Sequence, residues 1–165
     1  MFRIKLLILL LTSFLSFSCT KDITNKNNIK YSIGYIGGEY DGLILKNSLV
    51  NNLSSLDLYS DGSIYELRPS ISHKTNLFIT NIDNTSDRME LQSELNVVII
   101  DQRFNCAKQN FKESVSQFYI FAESDKYISN NRAEKKIKED NTDALVKEFI
   151  NKLKKSKKIC IGINE

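Results

Sequence analysis

The sequence predicts an α+β fold: a two-layer sandwich in which two helices pack on one face of a mostly antiparallel four-stranded sheet. Three observations favour this fold class. Leucines recur at helical spacing early in the chain, several later segments alternate apolar and polar side chains, and a long charged helical segment follows them. The predicted order is strand-helix-strand-strand-strand-helix. Short loops between the late strands indicate an antiparallel meander.

The first strand and helix are predicted within residues 30–56. Residues 30–36 are rich in Tyr and Ile, which strands prefer, although Gly34 interrupts them. Asp41 is the expected N-cap of a helix over residues 42–56. The apolar face of that helix repeats about every fourth residue, through Leu45, Leu49, Leu53 and Leu56.

The second strand is predicted from the alternation over residues 65–72. Pro69 has no N–H to donate, so this strand should lie at a sheet edge or contain a bulge. Leu77 and Ile79 continue the alternation after an expected break. Residues 81–84, Asn-Ile-Asp-Asn, have the composition of a turn.

The third strand has the clearest alternation, over residues 89–100. One parity is apolar and should be buried: Met89, Leu91, Leu95, Val97 and Ile99. The other parity is polar and should face water: Arg88, Glu90, Gln92, Glu94 and Asn96. An aromatic-rich fourth strand is predicted over residues 111–121.

The last predicted element is a charged helix over residues 129–155. Its apolar stripe weakens at Asp140–Asn141 and consists of Ala133, Ile137, Ala144, Leu145, Phe149, Ile150 and Leu153. We expect one domain over residues 30–158 and a short tail over residues 159–165.

The N-terminus has the pattern of an export signal. Arg3 and Lys5 precede an apolar run too short to span a membrane, so residues 1–18 are predicted to be a signal peptide. Cys19 follows that run directly, which favours lipidation of Cys19, although Ser16 stands where a lipobox has Leu. The alternative is an exported soluble protein in which Cys19 is free or disulfide-bonded. Residues 19–29 would be a polar tether.

Composition excludes several function classes. The chain is 41% hydrophobic and 26% charged, typical of a globular protein, and its net charge of +3 is too small for a strongly basic nucleic-acid binder. One His and three Cys are too few for a zinc ribbon, and no phosphate-binding loop or nucleophile elbow is present. We therefore expect no metal, no cofactor and no enzymatic activity.

Few residues are candidates for chemistry. His73, the single histidine, is expected at the surface, and a hydrolase using Cys106 and His73 is the least favoured hypothesis. Asp83, Asp87 and Glu90 form an acidic cluster that matches no calcium loop and is expected to be a solvated hairpin.

Two further features leave alternatives open. Cys106 and Cys160 could form a disulfide in an oxidising compartment. The second helix ends in a lysine-rich run that includes Lys152, Lys154 and Lys155. These cations complement the helix dipole, or they contact anionic lipid phosphates.

The ordered set of elements resembles the LPS-assembly lipoprotein family, LptE. The resemblance spans most of the mature chain and rests on the segments at 40–49, 65–67, 87–91, 95–101, 118–122 and 133–153. The chain departs from the family in having Thr20-Lys21 after the cysteine and no basic residue in the 81–84 turn.

The resemblance implies a function in the outer membrane. The chain would be anchored at its periplasmic face through Cys19 and would plug and assist a large LptD-like β-barrel that delivers lipopolysaccharide to the outer leaflet. Arg88, Lys152, Lys154 and Lys155 are then candidate lipopolysaccharide contacts. The alternative is a periplasmic envelope lipoprotein that acts as a binding or structural adaptor without a barrel partner.

Overall fold

A computed structural model describes residues 29–79, 87–121 and 127–155. They form two helices and four strands in the predicted order. The elements are β1 (Ser32–Ile33), α1 (Tyr40–Ser55), β2 (Tyr65–Ile79), β3 (Asp87–Asp101), β4 (Cys106–Phe121) and α2 (Tyr127–Lys155).

The sheet confirms the predicted fold class. Its strand order is β1-β2-β3-β4, with β1 parallel to β2 and the other pairs antiparallel. Leu67 pairs with Ile99, and Val97 pairs with Phe111, so these residues share one face. Both helices pack on that face.

The core lies between the helices and this inner face. Three α1 leucines and the odd-numbered apolar residues of β3 from Leu91 to Ile99 are almost fully buried, as the two periodicities predicted, whereas Met89 is only half-buried. The aromatic rings of Phe111 and Phe149 meet edge-on with centroids 5.2 Å apart. This contact joins β4 to α2.

Two strands differ from the prediction. β1 is only Ser32–Ile33: the Gly34 N–H donates a last hydrogen bond to the Leu67 carbonyl at 2.8 Å, and the chain then leaves the sheet. β2 has no break: it runs through residues 72–77, since β3 pairs with it along its whole length. Pro69 does lie at an open edge, as predicted, because β1 pairs only with Glu66 and Leu67.

The start of α1 also differs. Asp41 is not the N-cap but lies in the first turn, and the N-cap residue Glu39 makes no side-chain capping bond. The chain enters the helix through Gly38, whose φ is +91°. A Cβ on Gly42 would lie 2.6 Å from the carbonyl oxygen of Gly37, so glycine at 42 is what allows the loop to approach the helix.

The stripe predicted for α2 is partly wrong. Ala144 is exposed, whereas Val146 is fully buried and packs in the core. The polar residues Asp140 and Asn141, where the apolar stripe weakens, do not interrupt the helix. Asn141 instead turns toward the sheet and is fully buried.

Candidate interaction surface

The sheet face opposite the helices carries no covering layer among the described residues. We call it the open face. β3 presents there the polar parity that the sequence predicted, including the exposed Arg88 and Gln92. Near its middle, β2 and β4 add four small polar side chains, and β4 adds Phe118 and Ile120 at its far end. The four are Ser70, Ser72, Ser114 and Ser116.

Charges of opposite sign are paired across the open face. The Arg68 guanidinium lies 2.9 Å from Glu66, and Lys112 lies 3.0 Å from Glu94. Gln102 also donates a 2.8 Å hydrogen bond to Glu66. The hydrogen bond from Arg68, followed by that from Gln102, holds the pKa of Glu66 below its ordinary value. The face is therefore polar but nearly neutral.

Large apolar side chains are exposed at one end of the sheet. Leu77, Phe118 and Ile120 are each more than half exposed, and so is Ile128 in the first turn of α2. Phe118 and Ile120 lie on the open face near the far end of β4, where Ile120 pairs with Arg88. Leu77 pairs with Met89 and lies on the helix side of the sheet. We call this region the hairpin end. Exposed apolar side chains on one face, such as Phe118 and Ile120, are typical of an interaction site.

A polar cluster lies under the helices. His73 Nδ1 is 2.7 Å from the Ser93 hydroxyl, and the Asn141 amide donates to that hydroxyl at 3.0 Å and to the Leu91 carbonyl at 3.3 Å. Ser93 and Asn141 are fully buried. His73 Nε2 and Asn141 Oδ1 are buried with no hydrogen-bond partner among the described residues. The cluster connects β2, β3 and α2.

His73 is therefore half-buried, not the surface residue that we expected. Desolvation is the main cause that lowers its pKa, and Lys138 lowers it further. The negative charges of Asp41 and Glu134 raise the pKa of His73 and partly offset this effect. The balance keeps the imidazole neutral near physiological pH.

The structure does not bring His73 and Cys106 together. Cys106 pairs with Asp101, which in turn pairs with Tyr65, so His73 lies about 26 Å away along β2 at ~3.3 Å per residue. A hydrolase that uses this pair has no geometric support.

The β3–β4 turn holds an ion pair that the sequence analysis missed. Asp101 is fully buried, and its two carboxylate oxygens accept hydrogen bonds from the Arg103 side chain at 3.1 and 2.9 Å. The guanidinium also lies over the rings of Tyr65 and Phe104. Asp101 is the main cause that raises the pKa of Arg103. The ion pair fixes the β3–β4 turn against the end of β3.

The four candidate lipid-contacting residues do not form one site. Lys152 pairs with Glu113 on the helix side of the sheet and lies 3.4 Å from Glu148. Arg88 is on the open face, about 23 Å further along the strands at ~3.3 Å per residue. Lys154 and Lys155 are exposed in the last turn of α2, as the sequence indicated. The lysines and Arg88 are therefore two separate basic regions.

A shallow depression lies between the start of α1 and the first half of α2. It measures about 250 Å³ and is lined by Tyr40, Asn131, Glu134, Lys135 and Lys138. Tyr40 donates a hydrogen bond to Glu139, and the Lys135 ammonium lies 4.3 Å from the centre of the Tyr40 ring. These contacts join the two helices, and Lys138 pairs with Glu134 at 2.9 Å within α2.

Several predictions concern residues outside the described ranges: the signal peptide, the lipidation of Cys19, the turn at 81–84, Asp83 of the acidic cluster, and Cys160. Within the described ranges, no helix is long and apolar enough to cross a membrane. The same ranges hold no group of three or more His, Cys, Asp or Glu side chains that could bind a metal ion.

Comparison with solved structures shows a fold shared with bacterial lipoproteins. A minor lipoprotein from Acinetobacter baumannii superposes with a TM-score of 0.60 at 16% identity, covering 77% of this chain and 93% of that one. Rare lipoprotein B from Shewanella oneidensis gives 0.61 at 12% identity, with 76% and 94% covered. No protein-family model matches the chain, and no curated protein matches it.

Proposed function

We propose that this chain is a lipid-anchored envelope lipoprotein of the LptE type, which seats against a large outer-membrane β-barrel and assists lipopolysaccharide transport to the outer leaflet. It acts by docking and not by catalysis. The observation that carries the proposal is the open face, a mainly polar surface that runs along β2–β4 and carries paired charges. The inner wall of a large barrel is polar and matches such a surface.

Two further observations support the proposal. The hairpin end exposes large apolar side chains beside Arg88, a combination that suits contact with lipid acyl chains and phosphates. The fold is also that of a rare lipoprotein and a minor lipoprotein from other bacteria.

Affinity purification from detergent-solubilised outer membranes tests the proposal. The tagged full chain should recover one large β-barrel in near-stoichiometric amount, and the Cys19 peptide should be acylated by mass spectrometry. Recovery without a barrel would overturn the docking role and favour an adaptor. An unmodified Cys19 would overturn the lipid anchor.

A pair of matched variants locates the contact. Gln92→Arg changes an exposed amide in the middle of the open face, and Asn47→Arg makes the same change on the exposed side of α1. We expect Gln92→Arg to reduce recovery of the barrel and Asn47→Arg to leave it unchanged. Equal recovery with both variants would show that the open face is not the docking surface.

A further inference from the structure

The end of the sheet opposite the hairpin end exposes a second set of apolar side chains. Phe104 in the β3–β4 turn is 70% exposed, and Ile64, directly before β2, is 40% exposed. The Gln102 N–H donates a hydrogen bond to the Ile64 carbonyl at 2.9 Å, so the two side chains belong to the same end of the sheet. We call this region the turn end. It is separate from both the open face and the hairpin end.

Phe104 is held in its exposed position by its neighbours. The Arg103 guanidinium lies 5.3 Å from the centre of the Phe104 ring, and the buried Asp101 carboxylate fixes that guanidinium. The Phe104 N–H also donates to the Asp101 carbonyl at 3.2 Å. The result is an apolar ring presented beside a cationic group. Side chains with one apolar part and one charged part are typical of surfaces that lie at the headgroup level of a bilayer.

The last turn of α2 brings two lysines to the same end of the molecule. Asn141 bonds to Leu91 in the half of β3 nearer the hairpin end, whereas Phe149 meets Phe111 in the half of β4 nearer the turn end. α2 therefore runs toward the turn end and finishes there with the exposed residues 154 and 155, both lysines. Exposed lysines near an anionic membrane are attracted to lipid phosphates.

Carboxylates at the turn end are engaged with other groups than these two lysines. Asp57 pairs with Lys30 at 2.8 Å, and Asp101 pairs with Arg103 at 2.9 Å. Asp61 accepts a hydrogen bond from a tyrosine hydroxyl. The charge of the two exposed lysines is therefore left to act on a partner outside the fold.

The chain also enters the fold at the turn end. The Tyr31 N–H donates to the Leu58 carbonyl at 2.7 Å, and the Tyr31 ring lies 6.2 Å from the ring of Tyr65, the first residue of β2. Residues 19–28 separate Cys19 from this point, and ten residues span at most about 35 Å when fully extended. An anchor at Cys19 therefore keeps the turn end close to the bilayer, at a high effective concentration.

We propose that the turn end is a membrane-contact surface, in which Phe104 and Ile64 lie at the headgroup level of an anionic bilayer and the lysines at 154 and 155 contact lipid phosphates. The choice of a bilayer as the partner rests on the proposed lipid anchor at Cys19, which lies within tether length of this end. The barrel and the open face take no part in the contact.

Tryptophan fluorescence locates the contact, because the chain contains no tryptophan. Phe104→Trp places a single fluorophore at the turn end, and Leu43→Trp places one at an exposed position near the start of α1 as the matched control. Both are made in the full mature chain with Cys19→Ser, so that acyl chains do not cause the binding. The vesicles contain phosphatidylethanolamine and phosphatidylglycerol with brominated acyl chains, which quench only fluorophores that reach them. Ile64→Trp repeats the measurement at the turn end if Phe104→Trp does not fold.

We expect the emission of Phe104→Trp to shift to shorter wavelength and to be quenched by the brominated lipid, with neither change in Leu43→Trp. Replacing the lysines at 154 and 155 by glutamine should raise the apparent dissociation constant for lipid about tenfold or more. Lys46→Gln with Lys74→Gln removes the same charge elsewhere on the surface and should raise that constant much less.

Three results would overturn the inference. The first is an unquenched turn-end tryptophan at lipid concentrations up to about 5 mM. The second is equal quenching in Leu43→Trp, which would show contact without a defined surface. The third is equal binding to phosphatidylcholine vesicles with no effect of the lysine substitutions at 154 and 155. Each of these would leave the proposed function intact, because Cys19 acylation and barrel recovery are measured separately.

Discussion

Acidification should destabilise the folded chain through His73. Burial lowers the pKa of His73 from its ordinary value of 6.5, so below that value the unfolded chain binds a proton that the folded chain does not. The free energy of unfolding is therefore constant above this region and falls as the pH decreases through it. The Ser93 hydroxyl at 2.7 Å from Nδ1 fits the neutral ring, because Asn141 already donates to that hydroxyl.

The size of the effect follows from proton linkage. Each pH unit between the two pKa values of His73 costs about 1.4 kcal/mol, so the loss between about pH 7.5 and pH 5 is at most about 2 kcal/mol. Glu66 and Asp143 have lowered pKa values in the folded chain, so they also stabilise it at neutral pH. That stabilisation is lost mainly at more acidic pH, where carboxyl groups become protonated. Measurements therefore stop at about pH 5, where His73 dominates.

Urea unfolding at a series of pH values measures this loss. His73→Gln is the control variant, because glutamine does not titrate in this range. We expect the wild-type chain to lose stability below about pH 6.5 and the variant to lose markedly less. Parallel pH profiles for the two chains, or a wild type that is more stable at about pH 5 than at neutral pH, would refute the assignment to His73.

Three further changes should destabilise the chain in thermal or urea unfolding. Gly42→Ala should lower the free energy of unfolding by about 1–3 kcal/mol, although alanine has the better helix propensity, because the added Cβ would lie 2.6 Å from the Gly37 carbonyl oxygen. Equal stability of the variant would contradict the close packing of Gly37 against Gly42. Arg103→Ala should cost about 2 kcal/mol by leaving the buried Asp101 carboxylate without this partner, and an unchanged midpoint would show that the pair is not stabilising. Phe149→Ala should cost about 3–5 kcal/mol, since the ring is fully buried, and a loss below about 1 kcal/mol would contradict its central place in the core.

Local periodicity accounts for the parts of the fold that the sequence predicted. The leucines of α1 and the alternation in β3 each define one apolar face. Each element packs with its apolar face toward the core. The polar parity of β3 predicted the open face for the same reason. These signals lie within one element and need no knowledge of the partner strands.

Long-range contacts account for what the sequence did not predict. β2 appears broken near His73 because the side chains of residues 72–76 are all polar or titratable, yet β3 pairs with them throughout. Asn141 appears to weaken the α2 stripe, but its amide bonds to β3 across the layer interface. No local pattern marks the ion pair of Asp101 with Arg103, because the burial of Asp101 follows only from how the strands end.

Site-specific photo-crosslinking in cells tests the central claim, docking through the open face, most directly. A crosslinking residue is placed at Gln92 on the open face or at Asn47 on the exposed side of α1. Docking through the open face predicts an adduct from position 92 with one outer-membrane β-barrel and little adduct from position 47. An adduct with the barrel from position 47 alone, or no barrel adduct from either position, would contradict it.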